Sequence, residues 1–495
     1  MSEPSRQESR VPGISALAVY LPAFRVDLQA WCDWTGNSWD KISAVVGRSF
    51  RLCGPHENVY TMAANAVLRL IVQNRIDPRR IGFLGLGTES STDNAAGAVI
   101  VRGMLDRALV QLGLPRLGRS LEVPEFKHAC LGGIYALKSA LRYVVSDGAD
   151  RLAIVVSADQ AQYERGSTGE QTQGAGAVAM LVERIPRLLA IDLRHAGVAS
   201  AYRGPDFRKP VARHFMDQYP ARGKPASDFP VFSGKYSTTC YLDATVHAVE
   251  DMLQRLGMTA DRLHREAGAW FFHRPYHLMP VQALALLHVR AMAQSDPAAE
   301  LRALCAEAQV DPDALLAELG VAPDLHAALE AGNRSPLAYV NTSAVAAVLR
   351  RRPGFKQLVR DKMSLGAEAA KDFGNLYSAA LPAWIAAGLD EACAAGRSLT
   401  GTTLLAIGYG SGDAAEALPF SAVPGWEQPA GRIGLARALD GAVSLSRAQY
   451  EALHDRRELP GITSFRRGEF AITGVGTTYE PGFQDLGVES YQYRI

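Results

Sequence analysis

Lysine is scarce in this sequence, 9 residues against 43 arginines, and neither sign of charge is in excess: the formal net charge is +1 at pH 7. A balanced chain has no global field with which to hold nucleic acid or an anionic membrane surface. Any phosphate it recognises must be gripped locally, mostly by guanidinium forks and backbone N–H groups. Long apolar runs are absent, so no segment approaches the roughly 20 residues needed to span a bilayer. The polar opening MSEPSRQESRVPG lacks the apolar run of a signal peptide. The six cysteines, at 32, 53, 130, 240, 305 and 393, form no C-x-x-C pair. That spacing suggests neither a disulfide framework nor a zinc ribbon, no metal site is expected, and a reducing cytoplasm is the expected location.

With 495 residues and 48% hydrophobic content, the chain can bury a large core. GISALAVYLP, IGFLGLG, LAIVVSAD, GAVAMLVE, AWFFH and TTLLAIGYG read as buried strands, separated by helical stretches, a pattern of α/β layering. After Cys130, the residues Ile134, Leu137, Leu141 and Val144 trace one apolar helical stripe that SDGAD ends. The halves rhyme: strand, turn into an apolar helix, then paired strands occur once around Glu89 and Cys130 and again around His273 and GNLYSAAL. This outlines an internal duplication, residues 13–185 and 186–495. The Ala-, Leu- and Glu-rich run at about 280–335 reads as a helical insertion or lid, and GEFAITGVGTTYE as a final strand.

Three residues could carry chemistry. Cys130 precedes a helix whose N-terminal dipole would favour a thiolate, and Gly132 and Gly133 leave room for close approach; a small buried hydrophobe is the competing reading. Glu89, following an apolar strand, reads as a helix cap or as a base with a pKa raised by desolvation. His273 ends an aromatic run; its spacing from His277 suits a metal only on a helix, which Pro275 opposes, so a core histidine remains the alternative. The loop GYGSGDAAE lacks both G-x-G-x-x-G order and a following lysine, so it is no nucleotide loop. Its backbone N–H groups suit an oxyanion instead.

Taken in order, these segments resemble the 3-hydroxy-3-methylglutaryl-CoA synthase family of thiolase-fold condensing enzymes. GTESSTD is similar to the family's segment with the catalytic Glu, here Glu89; HACLGGIYAL to its nucleophile turn, here Cys130, with Ile134 in place of the usual Thr; and FFHRPY to the motif carrying the catalytic His, here His273. QGAGAVAMLV resembles a further family strand, and SDFPVFSGKYSTTCYLDA with Lys235, FGNLYSAAL with Asn375 and Tyr377, and GYGSG with Gly410 and Ser411 resemble segments whose residues the family implies as substrate-binding. The resemblance implies a duplicated five-layer αβαβα thiolase fold and a homodimer. It also implies an acyltransferase that condenses a Cys-bound acetyl group with an acetoacetyl thioester, without metal or redox cofactor. The run His277, Leu278, Met279 departs from members that place a Lys there to hold CoA phosphate. LEVPEFKHAC, with Lys127, resembles relatives acting on acyl carrier protein in polyketide β-branching. Acetyl-CoA with acetoacetyl-CoA, carrier-protein thioesters, and a catalytically silent partner subunit are the three readings left.

Overall fold

The computed structural model describes residues 11–209, 229–230, 233–294, 299–334, 336–457, 459 and 467–495. Most of the opening polar segment, and residues 227–228 and 231–232 of the motif around Lys235, lie outside the described residues. Ten strands form one sheet. They are β1 (Gly13–Tyr20), β2 (Ile81–Gly87), β3 (Glu125–Phe126), β4 (Leu152–Ala161), β5 (Gly174–Glu183), β6 (Leu189–Ile191), β7 (Gly197–Ser200), β8 (Ala267–Phe272), β9 (Thr403–Gly410) and β10 (Ala414–Ala422).

The duplication appears in the pairing. In the first half β2 runs parallel to β4, which is antiparallel to β5, which is antiparallel to β1. In the second, β8 runs parallel to β9, which is antiparallel to β10, which is antiparallel to β6 and β7. The three-residue strand β6 also pairs with β1, so it stitches the two half-sheets together.

Side chains alternate across each strand and therefore feed two layers. On one face Ala16, Ala18 and Tyr20 of β1 pack with α1 (Val59–Asn74) and α2 (Gly97–Gln111). On the other, Leu17 and Val19 join the core built on α3 (Gly132–Val145) and α6 (Ala380–Ala394). A small apolar void in this central layer is lined by Leu17, Ile134, Ile385, Ala406 and Phe420, from both half-sheets and both helices. Beyond the second half-sheet lie α4 (Lys235–Leu256) and α5 (Leu278–Gln294), completing the αβαβα order. Each Leu or Val buried between layers stabilises the fold by about 1.5–3 kcal/mol, which is why the two-sided strands are almost wholly apolar.

The helical insertion starts later than the sequence suggested. Residues 278–294 form α5, whose Leu284, Ala285 and Val289 are buried in the core, and Ala299–Ala308, Pro312–Leu319 and Leu325–Glu330 form the further helices of that run among the described residues. Pro280 does not break α5 because it is the third helical residue, where no backbone N–H donor is required. The expected final strand is likewise only the start of a hairpin. Glu469–Val475 pairs antiparallel with Glu489–Arg494, and Phe470 inserts beside α1. Among the described residues no helix is long and apolar enough to cross a membrane.

Candidate active site

The site begins where β2 ends. Asp159, on β4 and fully buried, accepts hydrogen bonds at Oδ1 from Thr88 Oγ1 (3.0 Å), Glu89 N (2.8 Å), Ser90 N (2.8 Å) and Ser90 Oγ (2.6 Å). Its Oδ2 accepts from Ser378 N (3.0 Å) and Ser378 Oγ. One carboxylate thus fixes the Glu89 loop of the first half to the Asn375–Ser378 loop of the second.

Glycines bring the nucleophile turn against that junction. A Cβ on Gly87 would lie 2.4 Å from Gly133 Cα, and one on Gly133 would lie 2.1 Å from Ser157 Oγ. The glycines after Cys130 therefore let α3 approach β2 and β4, rather than only making room for an acyl group. The turn itself is strained: Ala129 has φ +42°, a left-handed conformation that costs a non-glycine residue about 1–2 kcal/mol.

Cys130 and Glu89 touch. The Cys130 thiol donates to Glu89 Oε2 at 3.2 Å, and Lys209 Nζ lies 2.9 Å from Glu89 Oε1. Tyr163, Phe207 and Tyr377 wall this pair, with ring centroids 6.1–6.4 Å apart, and Lys209 Nζ sits 4.5 Å over the Tyr377 ring. Burial raises Glu89 above the ordinary carboxylate range, and Lys209 pulls it partly back. Burial also pushes the Cys130 thiol well up, and the Glu89 charge adds to it. Burial and the adjacent carboxylate thus both oppose the thiolate that a helix N-terminus favours, and the sulfur donates to Glu89 as a thiol.

His273 follows β8 and is buried. Its N–H donates to Ile407 O on β9 (2.6 Å), Tyr241 Oη donates to its carbonyl (3.2 Å), and its ring stacks on Tyr409 at 6.4 Å. Burial pushes its pKa down to about 3, so the imidazole is neutral. Strand β9, to which the His273 backbone N–H bonds, itself packs against the nucleophile turn: a Cβ on Gly408 would lie 2.7 Å from Leu131 Cδ1, and one on Gly410 would lie 2.7 Å from His128 O. Among the described residues His273 makes no direct hydrogen bond to Cys130 or Glu89.

Asn375 is buried, its N–H donating to Gln173 O (3.2 Å) and its Oδ1 accepting from Tyr377 N (2.9 Å). A Cβ on Gly174 would lie 2.4 Å from Asn375 O, so this glycine at the start of β5 admits the loop. Ser411 occupies the turn between β9 and β10. Lys235 stands apart: it opens α4, exposed, beside a cavity shared with Thr238, Tyr276 and Arg350. Sequence reasoning missed Asp159 and Lys209. Asp159 carried a usable signal, a carboxylate at the end of an apolar strand, the same one that drew attention to Glu89.

A duplicated five-layer α/β fold, with a cysteine before a central helix and a carboxylate on its sulfur, defines a thiolase-fold condensing enzyme. The family model described as hydroxymethylglutaryl-coenzyme A synthase N terminal matches residues 8–186. The hydroxymethylglutaryl-CoA synthase of Haloferax volcanii is 26% identical over 487 residues, covering 95% of this chain and 98% of that one. The structure of MvaS in complex with 3-hydroxy-3-methylglutaryl coenzyme A superposes with a TM-score of 0.75 at 25% identity, over 98% of this chain and 99% of that one. The curacin-pathway HMG synthase in complex with holo donor-ACP shares the fold at TM-score 0.69 and 18% identity, over 98% and 100% of the two chains. The chain is thus similar to hydroxymethylglutaryl-CoA synthases along nearly its whole length, with the family model matching its first half-sheet.

Proposed function

We propose that this protein is an acyltransferase that condenses an acetyl group held on Cys130 with the ketone of an acetoacetyl thioester. The observation that carries this reading is the Cys130–Glu89 contact, buried against Tyr163, Phe207 and Tyr377. The Cys130 sulfur attacks the acetyl thioester; the S–C bond to the enzyme forms, the bond to the carrier sulfur breaks, and the carrier leaves as a thiol with the proton the cysteine gives up. Covalent catalysis of this kind divides one hard step into two easier ones. Glu89 then takes a proton from the acetyl methyl, the enolate carbon bonds to the ketone carbon of the acceptor as its C=O π bond opens, and the alkoxide so formed takes up one proton to become the hydroxyl. Neutral His273 donates a hydrogen bond to the oxygen on which charge develops, and N–H groups of Cys130 and Ser411 serve the thioester oxyanion. Asn375, with Tyr377 and Gly410, orients the acceptor acyl group. Water finally cleaves the enzyme thioester. The reaction asks for thioester activation and a positioned base, not for a metal or redox cofactor.

Residues 13–185 supply nucleophile and base; residues 186–495 supply His273 and Asn375. A cytoplasmic homodimer is part of the same proposal. The second reading, condensation on acyl carrier protein, is favoured by one observation: His277, Leu278 and Met279 follow His273 without the lysine that would hold CoA phosphate. A silent scaffold is disfavoured by the retained Cys130–Glu89 contact. The test offers purified protein acetyl and acetoacetyl groups on CoA and on carrier protein in parallel. Labelling of Cys130 and consumption of an acetoacetyl acceptor support the proposal, the better donor decides between carriers, and no labelling from any donor rejects it.

A further inference from the structure

We propose that Lys209 is the positioning residue of the general base: its ammonium, seated between the Glu89 carboxylate and the face of Tyr377, keeps that carboxylate ionised and leaves its second oxygen on Cys130. A carboxylate withdrawn from water needs a compensating charge. Among the described residues Lys209 is the one cation in contact with Glu89, at 2.9 Å. The other groups facing Glu89 do not supply one. Asp159 carries the same sign, Cys130 is a thiol, and Tyr163 and Tyr377 are phenols held neutral by burial. Burial is the largest single influence on the Lys209 ammonium and works against it, but the Glu89 charge and hydrogen bond together with the Asp159 charge more than offset it, so Lys209 remains protonated.

The choice of lysine in an arginine-rich chain has a geometric reason. A guanidinium fork grips both carboxylate oxygens at once, whereas an ammonium is a point charge. Lys209 takes Oε1 alone, and Oε2 stays on the sulfur that will bear the acetyl group. The second half of the chain delivers this charge to the first half's base. Asp206 Oδ2 accepts from Tyr409 Oη (3.2 Å) and Gly412 N (3.2 Å), and Arg203 pairs with Asp243 and Asp413, pinning the segment before Lys209 to the β9–β10 turn.

The consequence for condensation rests on the function proposed above; the pairing itself does not. Infrared difference spectra between wild type and Glu89→Gln, recorded across pH, read the Glu89 titration without requiring turnover. Repeating them in the Lys209→Met background should show the titration about 1–3 pH units higher, the usual effect of one adjacent opposite charge. Lys209→Arg should leave the titration near its wild-type position yet lower the rate of deuterium exchange at the acetyl methyl at least tenfold, because the fork takes both oxygens. Circular dichroism confirms that each variant is folded. An unmoved Glu89 titration in folded Lys209→Met overturns the inference, and so does full exchange in Lys209→Arg. A protein that never acetylates Cys130 instead rejects the condensation reading, while the infrared result still decides the pairing.

Discussion

Replacing Asp159 by Asn tests how the two halves hold one site. The substitution keeps size and shape but turns one acceptor oxygen into a donor. Whichever way the amide points, its NH2 faces donors: Ser378 N and Oγ on one side, or the Thr88–Ser90 group on the other. The smaller loss removes the two bonds to Ser378. Hydrogen bonds to a charged group contribute about 1.5–3 kcal/mol each, so the junction loses roughly 3–6 kcal/mol. If opening of the junction governs activity, a loss at the lower end of that range already reduces the competent population about a hundredfold. Hydrogen exchange by mass spectrometry should show faster exchange across residues 88–91 and 375–379, with turnover falling at least a hundredfold while the outer helices stay protected. Wild-type turnover and unchanged exchange in those two segments would refute the reasoning.

Three further outcomes are expected. Gly133→Ala places a Cβ 2.1 Å from Ser157 Oγ and 2.9 Å from Ser378 O; overpacking of this kind costs about 1–3 kcal/mol, read as a lower thermal midpoint together with impaired acetylation. Lys138→Met strips the partner from Glu416, 2.5 Å away and buried, a loss of about 3–5 kcal/mol, and adding Glu416→Leu should recover most of the lost thermal midpoint. Burial raises Glu89 above its ordinary value of 4.5, and a base must be ionised to act. Condensation should therefore fall as pH drops through that raised value. His273, neutral above about pH 3, should add no limb between pH 5 and 8, so Glu89→Gln should abolish the condensation whose acid limb the wild type shows.

The fold was legible because each strand is a short apolar run ended by Gly or polar residues, and because strand order repeats in the two halves. Cys130 and Glu89 were legible for their positions, a cysteine before an apolar helix and a carboxylate after an apolar strand. What periodicity does not carry is the third dimension around them. Lys209 lies in an irregular polar stretch, and Asp159 shows its role only through donors 69–219 residues away along the chain. The setting of the sulfur was only half legible for the same reason: a helix N-terminus is visible in the sequence, but the burial and the adjacent carboxylate that oppose it are not. The start of the insertion was set too early because Pro280 reads as a breaker unless its place in the first helical turn is known.

The account depends on Cys130 holding the acetyl group while Glu89 removes its proton. The most direct measurement is deuterium uptake from D2O into the methyl of the acetyl-enzyme, followed by peptide mass spectrometry in wild type and Glu89→Ala. The account predicts an acetyl group on Cys130 in both proteins, with methyl exchange in the wild type and none in the variant. An acetyl group on any other residue, or wild-type exchange without Glu89, would contradict it.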